Sequence, residues 1–215
     1  MDSIKIVYTG GEAEIIEKKS RFIATVKPVE SEEEALEFVA AMKKKYWNAT
    51  HNCFAFVVGE RQQLQRCSDD GEPQGTAGRP MLDVLLGEGV HNAAVVVTRY
   101  FGGTLLGTGG LVIAYSKSVQ EGLKNSCILE KTKGVLLKIK TDYNGIGKLQ
   151  YLLGQRGLQI TASDFTDVVH IETLVPAEAV GELKAAVTEG TNGKAEILGE
   201  EKVCFAFWEG EPLLF

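Results

Sequence analysis

Residues 69–115 read DDGEPQGTAGRPMLDVLLGEGVHNAAVVVTRYFGGTLLGTGGLVIAY, and the fold is read outward from them. At the centre, Ala93, Ala94, Val95, Val96, Val97 and Thr98 form an apolar, β-type run with the character of a buried strand. It emerges at Arg99, Tyr100 and Phe101 into a glycine-rich loop, 102–110. A second glycine-rich loop, 69–78, leads to Pro80, which suits the first turn of a short helix over 80–86. From Thr108 to Lys124, the residues Leu111, Val112, Tyr115, Val119 and Leu123 recur at helical spacing. A buried strand opening into loops that carry glycine and arginine is where a binding surface is expected.

Upstream, residues 4–9 and 13–16 read as short strands around the Gly10-Gly11 turn, and 21–26 as a stronger strand closed by Pro28. Ser31 and Glu34 form a capping box for a helix with Ala35, Leu36, Phe38, Val39 and Met42 on its apolar stripe. Lys43, Lys44 and Lys45 close that helix at the negative end of its dipole. Residues 53–58 follow as a strand, and 64–68 as a short edge strand. Downstream the order is β (134–141), α (144–156), β (158–165), β (167–175), α (177–189), β (195–207). That βαββαβ order is the ferredoxin-like arrangement. The fold class is therefore α+β, with one domain over 1–130 and a second over 131–215.

The 215 residues give room for two cores, and 44% hydrophobic content is enough to build them. The net charge of -6 divides into -3 for residues 1–130 and -3 for 131–215. Neither half is the strongly basic module of a sequence-blind nucleic-acid binder, although a local basic patch stays open. The four cysteines, Cys53, Cys67, Cys127 and Cys204, form no C-x-x-C pair, so zinc-ribbon and thioredoxin readings drop out. Cys53 and Cys204 read as small buried hydrophobes. The opening Met1-Asp2-Ser3-Ile4-Lys5 lacks the basic start and apolar core of a secretory signal. No apolar run reaches the roughly 18 residues of a membrane span. A reduced, cytoplasmic setting is expected.

Chemistry has few places to sit. Backbone N–H groups at the helix start around Gly107, Thr108, Gly109 and Gly110 could cradle an anion, helped by Thr104 and Arg99. Equally, Gly102, Gly103 and their neighbours could merely let the turn close and the helix pack. No Lys-Ser/Thr pair follows, so the loop is not a P-loop, and its spacing is wrong for a dinucleotide fingerprint. Asp69, Asp70 and Glu72 do not have EF-hand spacing and lack a His-rich partner. They read better as turn and capping groups, with Asp69 or Asp70 able to pair with Arg79 or Arg99. Of the three histidines only His51, just before a strand, draws interest, and Cys53 shares its strand face beside an apolar flank. No metal set, cofactor motif or catalytic triad emerges. Arg66, Arg79 and Arg99 are the basic side chains in or beside the loops, and Tyr100 and Phe101 are aromatics expected to be partly exposed.

Four motifs, in order, resemble the IMPACT/YigZ family. They are Thr50-His51-Asn52-Cys53; Asp69-Asp70-Gly71-Glu72-Pro73 with Gly75-Thr76-Ala77-Gly78 and Pro80; Val97-Thr98-Arg99-Tyr100-Phe101-Gly102-Gly103; and Gly107-Thr108-Gly109-Gly110-Leu111 with Ala114-Tyr115. The resemblance implies an N-terminal domain of the βαβ type shared with ribosomal proteins and translation factors. It also implies a C-terminal domain like the last domain of elongation factor G. Eukaryotic members regulate translation through a partner protein of a pathway that bacteria lack, so that mode does not transfer to this two-domain layout. Some relatives carry a peptidase label, which no metal set or nucleophile triad here supports.

Two functions follow as expectations. One is a non-enzymatic, translation-linked protein that contacts RNA, the ribosome or an associated protein through loops 69–115. Its binding residues would be His51, Asp69, Asp70, Arg79, Arg99, Tyr100, Phe101, Gly102, Gly103, Thr108, Gly109 and Gly110. The other is an enzyme or sensor for a small anionic metabolite held at the 107–110 helix start. A protein–protein adaptor using the same surface is a third. Neither reading involves a membrane, and the sequence sets no oligomeric state.

Overall fold

The computed structural model describes residues 3–215; Met1 and Asp2, part of the opening stretch without secretory-signal character, lie outside them. The chain divides into two compact units, one of residues 4–129 and one of residues 130–215 together with Ser3.

The first unit runs β1 (Ser3–Thr9), β2 (Glu12–Glu17), β3 (Ser20–Pro28), α1 (Glu32–Lys45), β4 (His51–Val58), β5 (Leu64–Ser68), α2 (Gly78–Gly87), β6 (Val90–His91), β7 (Ala93–Tyr100) and α3 (Gly107–Lys124). Its main sheet has the order β2-β3-β7-β4-β5, with β7 central and every pairing antiparallel. Because β3 and β4 are both antiparallel to β7, they run parallel to each other, and α1 makes the crossover between them. The expected βαβ element is thus present in split form, with β7 inserted. The short β6 pairs in parallel with β1, a long-range partnership that local sequence does not announce.

Strand alternation explains the layers. Ala93, Val95 and Val97 of β7 lie in the core that contains Leu82 and Leu85 of α2 and Leu111, Tyr115 and Val119 of α3. Ala94 and Val96 lie in the opposite core, with Phe38 and Val39 of α1. Each fully buried valine contributes about 1.5–3 kcal/mol, so the run is apolar on both faces because both are covered. Ser31 caps α1 by accepting from Glu34 N at 3.2 Å. The return arm of the capping box goes one residue further back, with Glu30 N donating to Glu34 Oε2 at 2.8 Å. Leu36 and Val112 leave the apolar stripes assigned to them: they are 41% and 36% exposed.

The second unit comprises most of β8 (Cys127–Thr141), then α4 (Ile146–Gln155), β9 (Ile160–Phe165), β10 (Val169–Pro176), α5 (Val180–Gly190), β11 (Glu196–Trp208) and β12 (Glu211–Leu214). A single 3-10 turn, Ala177–Ala179, precedes α5. The order β11-β8-β10-β9, all antiparallel, is that of the ferredoxin-like fold. Strand β12 is an addition, held against β11 by a tight hairpin through Glu209 and Gly210. Leu149 and Leu153 of α4 and Leu183 and Val187 of α5 close one core against Leu137, Ile139 and Ile171. On the strands, Lys138 pairs with Glu172 and Lys140 with Glu196. These cations are paired with carboxylates rather than free for a phosphate backbone.

Candidate functional site

Loop 69–78 is built by Asp69. Its Oδ2 accepts from Gly75 N at 2.8 Å, and its Oδ1 accepts from Ala77 N and Gly78 N at 3.0 and 2.9 Å. The carboxylate therefore caps α2 from nine residues upstream of Gly78, a place where a residue-by-residue cap search does not look. Burial pushes the Asp69 carboxyl upward, but the three backbone donors more than offset this and hold it below its ordinary 3.8. A depressed native value means stability that is full above the unfolded carboxyl range and lost as pH falls through the native one. Asp69→Ala is expected to cost about 1–2 kcal/mol in urea unfolding at neutral pH. The wild-type advantage over this variant should shrink below about pH 4; an equal gap at pH 7 and pH 3 would contradict the assignment.

Asp70, with φ +44°, turns the chain into Gly71 at φ +89°. Its Oδ2 accepts from Asn52 N at 2.7 Å, and its Oδ1 accepts from Lys43 Nζ at 2.5 Å. Burial raises its carboxyl too, and Lys43 together with the Asn52 N–H brings it below the usual range. Its backbone carbonyl lies 2.9 Å from His51 Nδ1. A carbonyl only accepts, so Nδ1 carries the proton and Nε2 is the ring nitrogen left available. The structure thus gives Asp69 and Asp70 to loop construction. Neither pairs with Arg79 or Arg99.

The acid that reaches Arg99 is Glu72. Arg99 Nη1 donates to Glu72 Oε1 at 2.6 Å, and Tyr115 Oη donates to the same oxygen at 2.7 Å. All three residues are buried, with Arg99 only 5% exposed. Its guanidinium lies over Phe22 and Phe101, 5.3 and 5.6 Å from their ring centres, and its Nη2 reaches Ser20 Oγ at 3.5 Å. Arg99 Nε is buried without a hydrogen-bond partner. Cys53 lies beneath, its Sγ 3.0 Å from the Asp69 carbonyl and 3.4 Å from Tyr115 Oη. Burial pushes its thiol up to about 12, which disarms it as a nucleophile. The Tyr115 hydroxyl is likewise raised, by burial first and then by its neighbours Cys53 and Glu72.

Above this buried group opens a cavity of about 390 Å³. Its polar wall is Thr50, His51, Glu72, Arg99 and Thr108; its apolar wall includes Pro73, Phe101, Leu105, Leu106 and Leu111. His51 Nε2 and Glu72 Oε2 face each other at 3.8 Å, beyond hydrogen-bond reach. The first turn of α3 enters the same cavity through Gly107 and Thr108, and that helix start has no side-chain cap and no acidic residue. Its first N–H groups are therefore available to a ligand.

Of the residues singled out by sequence, His51, Arg99, Phe101 and Thr108 line this cavity, and the others are absent from its lining. Arg79 is exposed on α2 and pairs with Asp83 at 2.8 Å, while Arg66 pairs with Glu32 at 2.7 Å. Tyr100 donates to Asn48 Oδ1 at 3.0 Å, outside the cavity lining. Gly102 is pressed on the backbone of Lys19, Gly103 stands in open space at φ +84°, and Gly109 has open space above it. Gly110 abuts Leu106. Glu72 and Tyr115 are the members that sequence reasoning passed over as site residues. A signal existed: Arg99 continues the odd-numbered face of Val95 and Val97, so its charge had to meet an acid in the α2/α3 layer. Among the described residues no cluster of three or more His, Cys, Asp or Glu could hold a metal.

These features define a two-unit α+β protein with a half-enclosed cavity at the exit of its central strand. The family model of the Impact N-terminal domain matches residues 18–123, and that of a domain of unknown function, DUF1949, matches 139–194. The chain is 43% identical to IMPACT family member YvyE of Bacillus subtilis over 191 residues, 89% of this chain and 88% of the relative. It is 38% identical to IMPACT family member YigZ of Escherichia coli over 187 residues, covering 86% and 92%. Protein IMPACT of Homo sapiens is 37% identical over 98 residues, 43% of this chain and 30% of that protein. A solved structure described as the crystal structure of an hypothetical protein superposes with a TM-score of 0.59 at 36% identity, covering 94% of this chain and 98% of the other. The chain belongs to the IMPACT family. Among the described residues, no helix is long and apolar enough to cross a membrane.

Proposed function

We propose that the protein is a cytoplasmic recognition protein for a small anionic ligand, bound in the cavity between His51, Glu72 and the start of α3. The observation that carries this reading is the uncapped α3 terminus opening into a cavity with a largely apolar wall. Arg99 contributes by shape and by fixing Glu72, not as a free cation, because Glu72 already neutralises it. The geometry therefore moves the balance from a phosphate-backbone surface towards a small-molecule site. Whether the bound molecule is sensed or transformed turns on His51, whose ring lines the cavity.

Screening by thermal shift against inorganic phosphate, nucleotides and small carboxylates tests this. A ligand at one hundred times its Kd should stabilise the folded chain by about 2.7 kcal/mol. Gly109 has open space around it, so Gly109→Glu is expected to cap α3, raise the Tm of the free protein and remove the ligand-induced shift. No shift of the wild type with any anion would sink the reading.

A second reading is favoured by the exposure of Phe101 and Leu105, at 46% and 81%, on either side of the Gly103 turn. Here the same loops contact RNA, the ribosome or a translation-associated protein, as the family resemblance implies. The informative variant is Phe101→Ala rather than one at Arg99. A mobility shift of labelled RNA that weakens with salt and is lost in Phe101→Ala would support it. Identical behaviour of the variant would count against it.

A further inference from the structure

The cavity offers two unlike ends to one ligand, and this restricts the ligand more than the anion site alone. At one end are the free N–H groups of the first turn of α3, beside Thr108. At the other is Glu72, whose side chain is 3% exposed. Its Oε1 is fully used by Arg99 and Tyr115. Its Oε2 has no hydrogen bond among the described residues and lies 3.8 Å from His51 Nε2. In the neutral ring, with Nδ1 donating to the Asp70 carbonyl, His51 presents a lone pair at Nε2. A carboxylate oxygen and an imidazole lone pair thus face one small space and have no donor between them. Two acceptors that face one cavity can share a donor brought by a ligand, and a positively charged donor satisfies both at once.

We infer that the ligand is a zwitterion of amino-acid to dipeptide size, its ammonium group between Glu72 Oε2 and His51 Nε2 and its anionic group at the start of α3. The inference rests on the anion-recognition reading above and adds the cationic end. Pro73, Leu105, Leu106 and Leu111 also line the cavity, which suits an aliphatic portion. At about 390 Å³ the cavity lies at the lower end of the range for small-molecule sites, roughly 300–1,000 Å³. Binding is charge-balanced: the ammonium meets Glu72 Oε2, and the anion meets the positive end of the helix dipole. Arg99 and Tyr115 act as positioning residues, since they hold Oε1 and thereby direct Oε2 to the ligand.

Calorimetric titration of the full chain with matched pairs tests the inference. The zwitterions are L-leucine, L-leucyl-L-leucine and 6-aminohexanoate; their partners without the amine are 4-methylpentanoate, N-(4-methylpentanoyl)-L-leucine and hexanoate. At least one zwitterion should bind about ten-fold or more tightly than its partner, the range expected for a charge-assisted hydrogen bond. That excess should fall in His51→Phe, which removes the lone pair on a partly exposed side chain and leaves the Arg99–Glu72 pair intact. Binding of the amine-free anions with no gain from the amine would overturn the zwitterion and leave anion recognition standing. An undiminished excess in His51→Phe would also overturn the assigned position. If neither zwitterions nor amine-free anions bind while the thermal-shift screen finds another anion, the inference falls and anion recognition stands; if that screen also finds none, both fall.

Discussion

Glu72→Ala is expected to cost the first unit about 3–5 kcal/mol, the usual penalty for leaving a buried charge without its partner. Arg99 is 5% exposed, and its surroundings are the rings of Phe22 and Phe101 and the hydroxyl of Ser20. None of these can replace a carboxylate. Arg99 Nε already lacks a partner, so the variant would leave the guanidinium with the distant Ser20 hydroxyl as its one hydrogen-bond contact. Tyr115 would lose its acceptor in the same step. Changing both members, Arg99→Met with Glu72→Met, should cost less than Glu72→Ala alone, because apolar side chains of similar length can fill the space without a stranded charge. Urea unfolding of the wild type, Arg99→Met, Glu72→Met and the double variant measures this coupling, with Glu72→Ala alongside. A loss below about 1 kcal/mol for Glu72→Ala would mean that the pair is not the centre of this layer.

Much of this arrangement is legible in the chain. The valine run of β7, the capped start of α1, and the βαββαβ order of the second unit all follow from period and punctuation. The reading of the 69–78 acids as turn and capping groups suits Asp69 and Asp70, whose oxygens face backbone N–H groups and Lys43. It does not suit Glu72. In that loop Pro73 and the left-handed Asp70-Gly71 pair swing one acid inward, and nothing local distinguishes it from its neighbours. Its meaning depends on Arg99 twenty-seven residues later and Tyr115 forty-three residues later. The same limit applies to β6, two residues long and defined by a parallel partner at the other end of the unit. A strand of that length carries no period. Arg99 illustrates the opposite error: its chemistry is that of an anion binder, and only its place on the inward face of β7 shows that an internal anion holds it.

Gly102→Ala is expected to be the most damaging conservative change in the 102–110 loop, costing at least about 2 kcal/mol. An added Cβ would lie 2.1 Å from the Lys19 carbonyl carbon, 2.2 Å from its oxygen and 2.4 Å from Ser20 N. All three are backbone atoms, so no side chain can turn aside. Lys18 and Lys19 sit at φ +46° and +68° in the tight β2–β3 turn, which leaves that backbone little freedom to retreat. Relief would have to come from the start of β3, where Ser20 Oγ accepts from Gly102 N at 3.1 Å and also stands beside Arg99. The substitution would therefore disturb the buried pair as well as the turn. Gly103→Ala supplies the comparison. Nothing lies within 4 Å of its added Cβ, but its φ of +84° strains any side-chain-bearing residue, by about 1–2 kcal/mol. Chemical denaturation should rank Gly102→Ala as clearly the worse. The reverse order would show that backbone torsion, and not contact with the β2–β3 turn, is what requires the glycine pair beside the cavity.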